Sequence, residues 1–440
     1  MADEPDESPP HRLSRRDFVG RAAKAGIVLP SLSMLLAACE SDGSTATEHP
    51  DPEGEAIAPV LASTPPMGWN SWNAFGEDIN EDKVIATADA MVASGMRDAG
   101  WQYVMIDDGW QKNAGPRDEY ELDYDPVKFP GGITAVADYV HERGMKLGIY
   151  SGPGLKTCAG FTGSAGHERE DADLFASWGV DHLKYDSCCS PGEGSGDVIE
   201  LHRAMADALR DTGRDIVLHI CHCGWDAVWT WAREAGGQHW RIGQDICDDF
   251  SVPGHREGYY FDILDMIDRG VGLESYSGPG GWNDFDMLVV NLNGEGALVG
   301  DGATPREYRT HFSMWAILAS PLIVGSDLST MDATTIETLT NKEVIALNQD
   351  PLGIQASRVR RVGGMEIFVK ELQDGARGVA VLNRGPATES IELRWQDDLG
   401  LDAGPASVRD LWAHENVGQF DSGYSVEVAS HEAVMLRVSQ

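Results

Sequence analysis

The stretch Val180-Asp181-His182-Leu183-Lys184-Tyr185-Asp186 ends in a carboxylate and runs into Ser187-Cys188-Cys189. Val180, Leu183 and Tyr185 suit a buried parallel strand, with His182 inward or against a helix. Asp186 then stands at the carboxyl end of that strand, where a barrel presents its chemistry. Lys184, two residues earlier, points to the same side. An aspartate so placed is built to attack a substrate rather than to coat a surface. Other candidate strand ends are similarly equipped: Trp69 and Trp72, the pair Asp107-Asp108, Tyr150, Arg241 with Asp245, and Asp284 to Asp286 after Gly280-Gly281-Trp282-Asn283. Aromatic rings give a flat apolar platform for the CH face of a sugar, and carboxylates accept hydrogen bonds from its hydroxyls.

The elements that must position these groups alternate. Short apolar runs at Gly68–Trp72, Tyr103–Ile106, Lys146–Tyr150, His182–Tyr185, Ile216–Ile220, Trp240–Gly243, Gly272–Tyr276 (the weakest) and Leu322–Val324 predict strands. Helical spacing of apolar residues predicts helices over Asn80–Ala99, Ile133–Arg143, Glu170–Trp178, Gly196–Thr212, Tyr260–Asp268 and Pro305–Ala319. Strands separated by helices predict a parallel (β/α)8 TIM barrel, here over 62–353. Past Pro351 the texture turns to short alternating runs with turn residues between them, among them Glu366–Lys370, Gly378–Asn383, Ser390–Trp395, Ala406–Asp410 and Ala433–Val438. These predict a C-terminal antiparallel β-sandwich over 354–440.

Acidic residues number 71 against 34 basic ones, a formal net charge of −37. Such a charge repels nucleic acid, so no nucleic-acid partner is expected. It serves solubility first. Residues 1–39 read as an export signal: Ser14-Arg15-Arg16-Asp17-Phe18 resembles a twin-arginine motif, and Leu36-Ala37-Ala38-Cys39 resembles a lipobox. The expectation is cleavage before Cys39, lipidation of its thiol and a periplasmic or cell-surface address, with membrane contact only through that lipid. Residues 40–61 read as an acidic flexible linker.

Several motifs, in order along the chain, resemble glycoside hydrolase family 27. They are Pro66-Met67-Gly68-Trp69-Asn70-Ser71-Trp72, Ile106-Asp107-Asp108-Gly109-Trp110, Lys146-Leu147-Gly148-Ile149-Tyr150, Lys156-Thr157-Cys158-Ala159-Gly160, Lys184-Tyr185-Asp186, Arg241 to Asp245, Gly278 to Asp284, and Asn348-Gln349-Asp350-Pro351-Leu352-Gly353. The resemblance implies a barrel followed by an antiparallel β domain, in agreement with the pattern of strands and helices. It implies a retaining exo-glycosidase for terminal α-D-galactosyl residues that needs no cofactor and no metal, acting on a galactoside oligo- or polysaccharide. By motif, Asp186 is the implied nucleophile and Asp245 the implied acid/base. Two carboxyls about 5–5.5 Å apart are what a retaining mechanism uses. On this reading Lys184 keeps Asp186 ionised, and a less solvated Asp245 holds its proton longer. Trp69, Asp107, Asp108, Tyr150, Lys184, Arg241 and Asp286 match substrate-binding positions. Cys158 and Cys188 match a family disulfide beside the nucleophile.

The fifth strand departs from the pattern. It reads Ile220-Cys221-His222-Cys223-Gly224-Trp225, with His222 where galactosidases carry glutamate and Cys223 where they carry tryptophan. His222 is expected to face the substrate near its 2-substituent. A metal reading of Cys221-His222-Cys223 is disfavoured, since Cys221 and Cys223 share one strand face and His222 the other. Same-family alternatives are a β-L-arabinopyranosidase or an α-N-acetylgalactosaminidase. A non-catalytic sugar-binding lipoprotein is the alternative from another class. Of the seven cysteines, the pairing of Cys189, Cys221, Cys223 and Cys247 stays open, with Cys221–Cys247 one candidate bridge, as does the oligomeric state.

Overall fold

The computed structural model describes residues 60–188, 195–252, 260–298 and 300–440. The expected signal, Cys39, Cys189 and most of the 40–61 linker lie outside the described residues. Residues Ala58–Gln440 form one compact unit.

Eight parallel strands form the barrel: β1 Met67–Asn70, β2 Tyr103–Met105, β3 Lys146–Ser151, β4 His182–Asp186, β5 Val217–Cys221, β6 His239–Arg241, β7 Trp282–Asp284 and β8 Leu322–Val324. Each of β1 to β6 pairs in parallel with the next, β6 pairs with β7, and β8 returns to pair with β1. The ring closes just beyond β7. There Leu288 bridges Val324 in parallel, its N–H donating to the Ile323 carbonyl at 2.7 Å. Buried on both faces, most of these strands are rich in apolar residues, while β4, β6 and β7 carry the polar ones.

The seventh strand is not where the apolar pattern placed it. Glu274–Tyr276 is a 3-10 turn after Gly272, whose φ of +89° breaks an extended run. The strand is Trp282–Asp284, and side chains as well as backbone fix it. The Trp282 indole N–H donates to the Ala62 carbonyl at 2.7 Å, and the Asn283 amide donates to the Leu273 carbonyl and to Gln355 Oε1, both at 2.9 Å.

Helices over the outer surface begin and end where capping chemistry directs. Helix α1, Glu81–Ala93, starts at Asn80, whose side chain accepts from the Lys83 N–H. It stops before Gly95 (φ +82°), six residues short of the expected end at Ala99. Helices α2 Gly132–Glu142, α3 Glu168–Ser177, α4 Ser195–Asp211 and α5 Ile263–Gly270 follow. Helix α6, Pro305–Ile317, opens with a capping box between Thr304 and Glu307 and a proline in the first turn.

The C-terminal strands are β9 Ser357–Val362, β10 Met365–Glu371, β11 Arg377–Asn383, β12 Glu389–Arg394, β13 Ala406–Asp410, β14 Glu415–Phe420, β15 Gly423–Val428 and β16 Ala433–Ser439. They make a six-stranded sheet in the order β9-β10-β11-β16-β13-β14, with β12 and β15 paired separately, all antiparallel. Ile367, Val379, Val381, Leu393, Trp395, Val408 and Val426 fill the space between the two layers. The other face of the large sheet joins the barrel's own core through Phe368, Ala380, Leu382 and Met435. Trp412 seals that junction. It packs edge-on against Phe312 of α6 at 6.2 Å and donates its indole N–H to Ser313 Oγ at 3.0 Å.

Candidate active site

At the carboxyl ends of β1, β2 and β4 the polar groups converge on Asp107. Its Oδ2 accepts from Lys184 Nζ at 2.8 Å and from Asn70 Nδ2 at 2.7 Å. Its Oδ1 accepts from the Asp108 N–H at 2.9 Å. Burial alone would lower the Lys184 ammonium, but Asp107, Cys221 and Asp186 more than offset it, and it is held well above its usual value. Asp108 is also buried; it accepts from the N–H groups of Gly109 and Ala159, both at 2.9 Å. Burial outweighs those bonds and pushes its carboxyl up to about 6.

Asp186 ends β4 with only 7% of its surface exposed. Its Oδ1 accepts from the Cys188 N–H at 3.1 Å. The Cys158–Cys188 disulfide, closing a sequence separation of 30 with Cα atoms 5.3 Å apart, ties the β3 and β4 loops together at this point. The Tyr150 hydroxyl lies 3.0 Å from Cys158 Sγ, and the Lys184 ammonium sits 5.2 Å above the Tyr150 ring. Desolvation raises the Asp186 carboxyl, Lys184 opposes that, and the charge of Asp245 adds to the rise. The two aspartates therefore feel each other.

Asp245 lies beyond β6 in a two-residue ribbon with Tyr260–Phe261. Arg241 Nη2 holds its Oδ1 at 3.0 Å, and the same guanidinium holds Asp286 Oδ2 at 3.0 Å. The Asp245 side chain is 47% exposed and that of Asp286 only 4%. The expectation that Asp245 would be the less solvated carboxylate is thus reversed: Asp186 is the buried one. Lys184 lowers the Asp186 carboxyl through its charge, as expected, while its hydrogen bond goes to Asp107.

Asp286 owes its aim to its neighbour Asp284. Its backbone is left-handed (φ 72°), and its N–H donates to Asp284 Oδ1 at 2.8 Å. Burial pushes its carboxyl up to about 6, with Arg241 opposing. Asp284 Oδ2 in turn lies 3.0 Å from His239 Nδ1 and 3.1 Å from His219 Nε2. Although burial works against it, these imidazoles hold Asp284 well below the usual carboxylate range. With Nδ1–H donated to Asp284, His239 Nε2 is left to accept from His182 Nε2 at 2.8 Å. Burial keeps His182 far below its usual value and His219 down at about 3, so both rings are neutral.

Nitrogens of His182, His219 and His239 lie within 4.8 Å of one another, a spacing a metal could use. Two of the three rings are already engaged, His239 with Asp284 and with His182. A second such group, Cys158, Asp186 and Cys188, has both sulfurs in the disulfide and offers no thiolate.

Three sequence expectations are corrected. Trp69, expected against the sugar, is wholly buried and donates its indole N–H to the Ser326 carbonyl at 2.8 Å, which makes it a core residue. His222, expected to face the substrate, is buried with both ring nitrogens engaged: Nδ1 lies 2.5 Å from Ser187 Oγ and Nε2 3.1 Å from Asp226 Oδ2. Cys221 and Cys247 are both thiols and form no bridge. Cys247 Sγ is turned to the Phe261 carbonyl at 3.4 Å. The roles of Asn70 and Asp284 were not read in advance because they depend on partners distant in sequence. Their places in the Trp69-Asn70 and Asn283-Asp284-Phe285-Asp286 runs were the only available signals.

Against known proteins, residues 64–350 match the family described as alpha galactosidase A, and residues 362–438 match the alpha galactosidase C-terminal beta sandwich domain. Alpha-galactosidase A of Cellvibrio japonicus is 42% identical over 392 residues, covering 86% of this chain and 93% of that protein. The alpha-galactosidase of Cyamopsis tetragonoloba is 42% identical over 377 residues, covering 85% and 86%. The crystal structure of alpha-galactosidase I from Mortierella vinacea superposes with a TM-score of 0.80 at 35% identity, covering 87% of this chain and 98% of that one. With its barrel and its β-sandwich both accounted for, the chain belongs to glycoside hydrolase family 27 and is a glycoside hydrolase.

Proposed function

We propose that the protein hydrolyses terminal α-D-galactosyl residues with retention of configuration, with Asp186 as nucleophile and Asp245 as acid/base. The observation that carries this is the pairing of two differently housed carboxylates. One is buried, oriented by a backbone N–H and flanked by a lysine; the other is half-exposed and aimed by Arg241. In the first step an Asp186 oxygen attacks the anomeric carbon as the Asp245 proton passes to the departing glycosidic oxygen. A glycosyl ester forms on Asp186. In the second step Asp245 takes a proton from water, the water oxygen attacks the same carbon, and the ester bond to Asp186 breaks. Two inversions restore the α configuration. Asp107 and Asp108 accept hydrogen bonds from the sugar's hydroxyls; Lys184 holds Asp107, the Gly109 and Ala159 N–H groups hold Asp108, and Arg241 holds Asp286. Tyr150 forms the wall beside them.

Parallel assays of the p-nitrophenyl α-galactoside, α-N-acetylgalactosaminide and β-L-arabinopyranoside, with the first-formed sugar followed by NMR, test the reading. We expect the α-galactoside to be preferred and α-galactose to appear first. A preference for either other glycoside, or first release of β-galactose, would overturn it. The N-terminal motifs support a further proposal, export and lipid attachment at Cys39. Growth with labelled palmitate should label the wild-type protein and not Cys39→Ala; equal labelling would sink the idea.

A further inference from the structure

The loop that follows β5 is strained, clamped and topped by an exposed aromatic. Cys223, Asp226 and Ala227 all take positive φ, at 49°, 50° and 48°. Such a backbone is costly for an L side chain, and strain of this kind concentrates where a site is being shaped. Gly224 (φ +74°) presses the loop onto the end of β6: a Cβ there would meet the Ile242 carbonyl oxygen at 2.1 Å. Its N–H donates to the Arg241 carbonyl at 3.1 Å, and Arg269 Nη2 donates to the Gly224 carbonyl at 3.3 Å. His222 braces the underside between Ser187 and Asp226, and the Trp231 indole N–H reaches the Asp226 carbonyl at 3.3 Å.

The outcome of this bracing is Trp225. Among the described residues it is the one exposed tryptophan, at 42%, with the His222 ring set edge-on to it at 5.7 Å and 88°. Held by a loop this firmly anchored, the indole presents a fixed apolar face of the kind on which the CH face of a sugar stacks. Two anchors say which side of the site it serves. Ser187, which holds His222, directly follows Asp186. Arg241, whose carbonyl receives the Gly224 N–H, grips Asp245 with its side chain. Asp245 is the carboxyl that gives its proton to the leaving group, so the leaving group lies on its flank.

Resting on the α-galactosidase reading, we infer that Trp225, with the exposed Asp226 carboxylate beside it, forms the platform for the leaving group, and that its occupant is a second pyranose ring. The ring's CH face stacks on the indole while Asp226 accepts from a hydroxyl. His222 is a positioning residue for this loop, which explains why a histidine serves where the family has glutamate.

The test compares wild type, Trp225→Ala and Trp225→Phe on two substrates. α-Galactosyl fluoride has a leaving group with no ring to stack. A galactosyl-α-1,6-glucose disaccharide has the ring. The ratio of kcat/KM for disaccharide to that for fluoride should fall about 3- to 10-fold in Trp225→Ala and stay near wild type in Trp225→Phe. An unchanged ratio, or an equal fall on both substrates, would overturn the platform. Wild-type enzyme inert towards both would overturn the α-galactosidase reading itself and the platform with it.

Discussion

At the scale of single residues, the site separates two aspartates by environment. Asp186 is raised by burial and by the charge of Asp245, and Lys184 limits that rise. A protonated carboxylate cannot attack, so kcat/KM must fall as the pH drops through the Asp186 value. Because that value lies above the ordinary 3.8, the acid limb should lie above it as well. Removing the cation destabilises the carboxylate, so Lys184→Met should move the acid limb to still higher pH, in addition to weakening the site through the lost Asp107 ion pair. Rate profiles of both proteins between acid and neutral pH measure this. A limb that stays put, or moves down, would show that Lys184 does not act on Asp186.

At the scale of elements, Asp186, the proposed nucleophile, is held as much by backbone as by side chains. Gly152, just past β3, faces the Asp186 carbonyl, and a Cβ there would lie 2.6 Å from that oxygen. Backbone atoms cannot yield as a flexible side chain can. Gly152→Ala should therefore displace the end of β4 and lower kcat about 100-fold, with KM and the far-ultraviolet circular dichroism little changed. A kcat within about twofold of wild type would contradict this. The same scale decides what could be read in advance. Strands β1 to β3, β5 and β8 were legible because parallel strands buried on both faces leave mostly apolar runs, and β4 (His-Leu-Lys-Tyr-Asp) and β6 (His-Trp-Arg) from the apolar residues set among their polar ones. Strand β7 was not: Trp-Asn-Asp is polar, three residues long and held by side-chain bonds to Ala62, Leu273 and Gln355, none of which is near in sequence. Strand β9, Ser-Arg-Val-Arg-Arg-Val, was missed because an edge strand carrying charge looks like a loop. Motif order is what singled out the carboxylates to which the proposed roles are given. The wholly buried Trp69 and the braced His222 went astray because sequence gives position along a strand but not how deep a side chain sits.

At the scale of the molecule, barrel and β-sandwich share a core. Phe368, Ala380, Leu382, Trp412 and Met435 of the C-terminal strands and turns belong to the same apolar cluster as Phe312, Trp315 and the strands of the barrel. Arg309 lies 3.9 Å over the Trp412 ring, and Lys370 Nζ donates to the Leu347 carbonyl at 2.7 Å. Burial lowers that lysine to about 8. A sheet covered on both faces cannot detach without exposing both. Trp412→Ala should thus lower stability by about 3–5 kcal/mol, and wild type should unfold in one calorimetric transition. Two resolved transitions, with only the smaller one moved by the substitution, would show the layers to be independent.

The central claim is that a glycosyl ester forms on Asp186. Incubation with 5-fluoro-α-galactosyl fluoride, which slows release of the covalent species, followed by proteolysis and mass spectrometry of the peptides, tests it most directly. The account predicts one fluorogalactosyl adduct per chain on the peptide containing Asp186, and none in Asp186→Asn. An adduct on Asp245 or on any other carboxylate would contradict it.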